Sequence, residues 1–175
     1  MKRIITGVFF AAIAVAFLSC KDNSLEKQRQ NELKKLNEFI RAHYADVDRK
    51  PSGLYYIELD AGTGDSIKMG DRVQVFYEIQ TLDSTRRIGS GNYEPLELIV
   101  VPPTELPSTA TEINELKALH EALTYMKKDA KSRLIFDSQI GFGQYGSYGF
   151  GGFTPLMMEV EVYKVYPAPV PEEEE

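Results

Sequence analysis

The sequence predicts an α+β domain: an antiparallel sheet wrapped around one short helix, with a further helix ahead of it. Three observations carry this. Val73, Val75, Tyr77 and Ile79 alternate with Gln74, Phe76, Glu78 and Gln80, the period-2 pattern of a strand with one face toward a core. Leu156 to Tyr166 repeats the pattern, with Met158, Val160 and Val162 on one face. Between them, Leu116, Leu119, Leu123 and Met126 recur at helical spacing.

The chain opens with residues that lie outside any fold. Lys2 and Arg3 precede an apolar run from Ile4 to Leu18, which leads to Ser19 and Cys20. A charged start, a short apolar core and a small residue at the cut form a signal-peptide pattern over residues 1–19. The run is shorter than the about 20 apolar residues of a comfortable membrane span. Phe17-Leu18-Ser19-Cys20 resembles a loose bacterial lipobox, which implies acylation of Cys20 and cleavage ahead of it. Cys20 is the single cysteine, so an intramolecular disulfide is excluded. Two or more acyl chains hold a membrane where one binds marginally. The expected location is the cell envelope, lipid-anchored at the outer membrane on its periplasmic or surface face. Lys21-Asp22 resembles a surface-export signal of some Gram-negative lipoproteins, with Asn23 where a second acid would complete it.

Ser24 to Asp46 has Leu33, Leu36, Ile40 and Tyr44 at three- and four-residue steps, with Phe39 widening the stripe, and predicts a helix. Its apolar face suits either a spacer packed on its own domain or a homodimer through residues 24–46. Residues 20–51 therefore form a lipidated linker and helix, ended at Pro51-Ser52-Gly53. Leu54 to Leu59 is a strand, and Gly62-Thr63-Gly64-Asp65 and Lys68-Met69-Gly70-Asp71 are turns. Leu82 to Asn92 reads as a polar loop or bulged edge, and Leu96 to Val101 as a strand. Pro102, Pro103 and Pro107 then interrupt regular structure. Thr111 is positioned to cap the following helix. Leu134 to Phe136 is a strand, and Gly141 to Phe153 a loop of glycine and aromatics. Residues 167–175, prolines followed by four glutamates, cannot bury apolar area and read as a disordered tail.

The net charge is -6 at pH 7, against the basic surface that nucleic-acid binding requires. With two histidines, His43 and His120, and a cysteine assigned to lipid, hydrolytic triads, metal sites and cofactors are not expected.

Ser52-Gly53-Leu54-Tyr55-Tyr56, Gly62-Thr63-Gly64-Asp65, Val73 to Tyr77, Glu121-Ala122-Leu123, Gly141-Phe142-Gly143 and Pro155 to Glu161, in this order, resemble the FKBP-type peptidyl-prolyl isomerases over residues 52–166. The resemblance implies a curved antiparallel sheet around a short helix. It also implies an apolar pocket for proline-containing peptide or protein clients. On it, Tyr77 and Phe142 fall at catalytic positions. Ile88, Leu96, Leu98, Leu116, Leu119, Tyr145, Tyr148 and Met158 fall at substrate-binding ones. The chain departs from the family in several places, among them Glu115-Leu116 where Val-Ile usually precedes the helix. Gly89 stands where an aspartate usually accepts ligand hydrogen bonds, Phe142 where a tyrosine hydroxyl usually donates, and Met158 where a phenylalanine is common. Two functions stay open: a membrane-anchored isomerase or folding helper acting outside the cytoplasm, and a non-catalytic binding module on the same fold.

Overall fold

The structure, a computed structural model, describes residues 24–91 and 94–169. Residues 1–19, read from sequence as a signal peptide, Cys20 and the terminal glutamates lie outside the described residues. Among the described residues, no helix is long and apolar enough to cross a membrane.

Helix α1 runs over residues 24–43, three residues short of the expected end. Its stripe buries Leu36 and Ile40 against Tyr55 and Ile135 of the same chain, with Phe39 and Tyr44 packed at the margin. The spacer face anticipated from sequence is thus covered within the chain.

Eight strands follow among the described residues: β1 (Tyr55–Asp60), β2 (Thr63–Ser66), β3 (Arg72–Thr81), β4 (Arg87–Gly89), β5 (Leu96–Ile99), β6 (Lys127–Lys128), β7 (Lys131–Phe136) and β8 (Leu156–Tyr166). The main sheet has the order β1-β7-β8-β3-β4, with β5 also paired to β3. Its pairings are antiparallel. The long β3–β8 ladder sets its shape. Gln74 pairs with Lys164 but Val75 with Val162, so Tyr163 is an extra residue there. An extra residue on one strand bends it and increases the local twist.

The hollow holds helix α2 (Lys117–Leu123), preceded by a 3-10 turn at Ile113–Glu115. α2 has 7 residues, five of them buried. A helix below about 12–15 residues is marginal in isolation, so this one depends on the sheet around it. Leu119 and Leu123 join Val75, Ile79, Leu134 and Met158 in one core.

Two local expectations are corrected, at Gly62 and at the start of α2. Gly62-Thr63-Gly64-Asp65 is not a free turn, because Thr63–Ser66 pairs with Lys127–Lys128 in a second sheet. The polar segment after Leu82, read as a loop or bulged edge, contributes β4 as an edge strand on β3. Thr111 does not cap α2. Its N–H and hydroxyl donate to the Glu115 carboxylate at 2.7 and 3.0 Å, and Leu116 at φ -67, ψ 116 breaks the helical path. At the other end of the domain, the N–H of Ala168 donates to Asp71 Oδ1 at 2.9 Å, so the start of the proline tail is anchored.

His120 ties α2 to the chain that approaches it. Its Nδ1 accepts from the N–H of Val101 at 3.1 Å, and its Nε2 donates to the carbonyl of Asn114 at 2.7 Å. Accepting at Nδ1 requires the neutral ring. Burial lowers its pKa, and the Asn114 carbonyl pulls the other way. A lowered folded-state pKa means the unfolded chain takes up the proton first. Stability is therefore complete above the unfolded value of about 6.5 and falls as pH drops through it toward the folded value. Urea midpoints measured at pH 7.5 and pH 5 test this: the wild type loses stability at the lower pH, and His120→Gln loses less.

Candidate functional site

The hollow's wall is built by cross-strand rows. Residues directly opposite in a ladder share a face. Ile88 on β4 faces Ile79 on β3, which faces Met158 on β8, which faces Leu134 on β7. Tyr77 faces Val160, Val75 faces Leu96, and Val73 faces Leu98. One face of β3 thus carries Tyr77 and gathers Ile88, Leu96, Leu98 and Met158 from three other strands. α2 supplies Leu119 and the residue before it supplies Leu116.

These residues separate by exposure. Leu116, Leu119 and Met158 are fully covered and Leu98 is buried. Tyr77, Ile88 and Leu96 are half-buried and pack against the same core. The first group makes a floor and the second an apolar rim. Phe142 is 2% exposed and stacks on Phe150, ring centroids 6.0 Å apart and planes within 12°. Tyr148 lies across Phe142 at 5.9 Å. Tyr145 is 79% exposed.

Gly89 lies outside the hollow. It pairs with Glu78, on the opposite face of β3 from Tyr77. A Cβ at Gly89 would sit 2.9 Å from the Tyr77 carbonyl oxygen, closer than side chains approach. The missing acceptor is therefore built into this edge, because a longer residue there meets backbone.

Polar groups reach the rim from elsewhere. The Tyr148 hydroxyl donates to the Glu112 carboxylate, which pushes the tyrosine pKa up to about 12. Tyr77 is also raised, chiefly by burial and further by the charge of Glu112. Glu112 thus contributes to the raised pKa of both tyrosines. Arg86 Nε donates to the Tyr148 carbonyl at 2.7 Å, and its guanidinium stands 5.8 Å from the Phe150 ring centre. The Ser147 hydroxyl donates to the Thr111 carbonyl at 2.7 Å. The loop tip is thus tied to β4's approach on one side and to the approach to α2 on the other. Tyr148 makes these contacts from φ 52, a left-handed conformation uncommon for a side-chain-bearing residue. Strain of this kind persists where the surroundings enforce it.

A wider cleft of about 580 Å³ opens between α1 and the loop, lined by Leu25, Arg29, Ser138, Gln144 and Phe153 among others. Its lining mixes charge, amide and hydroxyl groups. The Tyr77 rim instead presents Tyr77, Ile88 and Leu96, half-buried apolar side chains packed on the core. Among the described residues, no group of three or more His, Cys, Asp or Glu is placed to hold a metal ion.

No family model matches the chain. A protein of Haemophilus influenzae named a probable FKBP-type peptidyl-prolyl cis-trans isomerase is 30% identical over 160 residues, which cover 87% of this chain and 59% of that protein. In sequence and in fold the chain is similar to the FKBP-type isomerases. It spans less than two thirds of that relative's length. The crystal structure of FkpA from Escherichia coli is similar at a TM-score of 0.65 and 24% identity, over 91% of this chain and 71% of that one. A peptidyl-prolyl cis-trans isomerase structure from Pseudomonas syringae pv. tomato is similar at 0.59 and 24% identity, over 79% and 96%. At that identity the two structures speak to the fold.

Of the candidates named from sequence, Tyr77, Ile88, Leu96, Leu98, Leu116, Leu119, Phe142 and Met158 pack in or against one core and Tyr148 lies on Phe142, whereas Tyr145 stands exposed. Sequence reasoning missed Glu112 and Arg86. Glu112 follows the proline-rich segment and Arg86 lies in a polar turn, so each reads as a solvated charge. The ties they make predict that Glu112→Gln or Tyr148→Phe speeds amide hydrogen exchange over residues 147–150. The expected acceleration is roughly tenfold or less, the worth of about one hydrogen bond. Hydrogen-exchange mass spectrometry reads it, with the exchange of α2 unchanged.

Proposed function

We propose that the hollow binds an Xaa-Pro segment and accelerates its cis–trans isomerisation. The observation that carries this is the half-buried rim of Tyr77, Ile88 and Leu96 over a floor closed by Leu119 and Met158. Rotation about a peptide bond meets a barrier of about 18–20 kcal/mol because it breaks amide resonance. For Xaa-Pro the uncatalysed change takes roughly tens to hundreds of seconds. No nucleophile or metal is required. A site accelerates the rotation by holding the twisted amide better than the planar one.

Each part of the rim then has a task. Apolar Ile88 and Leu96 hold the proline ring and exclude water from it. Loss of water weakens the resonance form that carries charge separation. The Tyr77 hydroxyl, an O–H at neutral pH as in any tyrosine, is a donor for a substrate carbonyl. Phe142 contributes ring surface in place of a hydroxyl. The Tyr148 latch must swing aside for the peptide to enter.

We further propose that this domain works outside the cytoplasm on proline-containing clients, tethered by lipid at Cys20. The charged start, apolar run and Ser19-Cys20 pair of the sequence support that reading. A second function is favoured by a different observation. Phe142 is covered by Phe150 and Tyr148, so a latch that stays shut would leave a binding module with no turnover.

Protease-free NMR exchange on short Xaa-Pro peptides separates the two. The expected outcome is a cis–trans rate above the blank at micromolar protein, reduced about tenfold or more by Tyr77→Ala. A rate equal to the blank excludes the isomerase.

A further inference from the structure

We propose that α1 is a positioning element for the candidate site, acting through Glu32 on the segment that carries Phe142. This rests on the reading that the hollow takes Xaa-Pro peptides. The Glu32 side chain is buried. Its Oε1 accepts the N–H of Ser138 at 2.5 Å and its Oε2 accepts the Ser138 hydroxyl at 2.9 Å. Arg29 Nη1 donates to Oε2 at 2.5 Å, and Arg29 Nη2 donates to Asp137 Oδ2 at 2.8 Å. Asp137 Oδ1 accepts from the N–H of Gln139 at 2.9 Å, and Arg49 lies 3.7 Å from Oδ2. The charges that face Glu32 and Asp137 are therefore Arg29 and, farther out, Arg49.

Ser138 passes this anchoring on. Its carbonyl accepts the N–H of Gly141 at 3.2 Å and of Gly143 at 2.8 Å, the two neighbours of Phe142. The carbonyl of Ile140 accepts the N–H of Ala118 at the start of α2 at 3.1 Å. Phe142 thus sits in a short segment hung from one residue, and that residue hangs from α1. Leu36 and Ile40 already dock the helix by apolar burial, so Glu32 is not needed for attachment alone. A buried carboxylate is stable when it is fully paired; an amide in its place keeps one acceptor but turns an NH2 group toward Arg29 and the Ser138 hydroxyl, so the full set of bonds holding Ser138 is lost. The segment then relaxes, and a site no longer held in its binding geometry binds peptide more weakly.

The test compares Glu32→Gln with Leu36→Ala in the full chain. Leu36→Ala weakens α1 docking without touching Ser138. Two readouts are taken: KM for an Xaa-Pro peptide, and hydrogen exchange of the Gly141 and Gly143 amides by NMR. Glu32→Gln is expected to raise KM roughly five- to tenfold, with kcat moving less, and to speed exchange at both glycines. Leu36→Ala is expected to lower the urea midpoint and leave both readouts near wild type. Should Glu32→Gln fail to fold, Ser138→Ala removes one of the same bonds more mildly and is read in its place. The proposal is overturned if the variant leaves KM and both amides as in wild type, or if Leu36→Ala moves them equally. Should the wild type neither bind nor isomerise peptide, the functional reading fails, and the glycine amides alone decide the proposal.

Discussion

Burial of α2 in the sheet's hollow is the constraint from which the rest follows. A helix of 7 residues gains too few hydrogen bonds to hold itself. It exists because Ala118, Leu119, Ala122 and Leu123 are covered by β3, β7 and β8. In return, Leu119 closes the floor on which the Tyr77 rim stands. His120 fastens the same helix to Val101 and Asn114, so the proline-rich approach is held at two points by one buried ring. Bending of the β3–β8 ladder where Tyr163 is inserted shapes the sheet for this load.

The rim is governed by a weaker set of forces. Tyr148, Ser147, Arg86 and Glu112 form exposed ties across the mouth. Exposed hydrogen bonds contribute about 1 kcal/mol each or less, after exchange with water. Leu119 and Met158, in contrast, would each cost several times that to uncover, by roughly 2–5 kcal/mol for a large-to-small change. The magnitudes favour a mouth that opens on a floor that does not. They also explain how a chain lacking an acceptor at Gly89 and a hydroxyl at Phe142 keeps polar groups at its rim, since Glu112 and Tyr148 come from other segments.

The parts of the fold legible in the sequence were those whose signal is periodic and local. β8 emerges with the bounds that its alternation gave, and the inward row of β3 is the one its pattern named. β2 was hidden because Gly62 and Gly64 read as a turn, while its partner β6 has 2 residues and no periodicity of its own. The start of α2 was misplaced because Thr111 has capping chemistry but spends it on Glu115. The apolar candidates came from the family resemblance, through their order along the chain. Glu112 was not visible there, nor was Glu32, whose bond to Ser138 spans 106 positions and leaves no local trace.

Where a proline ring sits on this protein decides the account most directly. Intermolecular nuclear Overhauser effects between a proline-containing peptide and the full chain measure it. The account predicts contacts from the proline ring protons to the Tyr77 ring and to the methyls of Ile88 and Leu96. Contacts confined to Leu25 and Phe153, in the cleft beside α1, would contradict it.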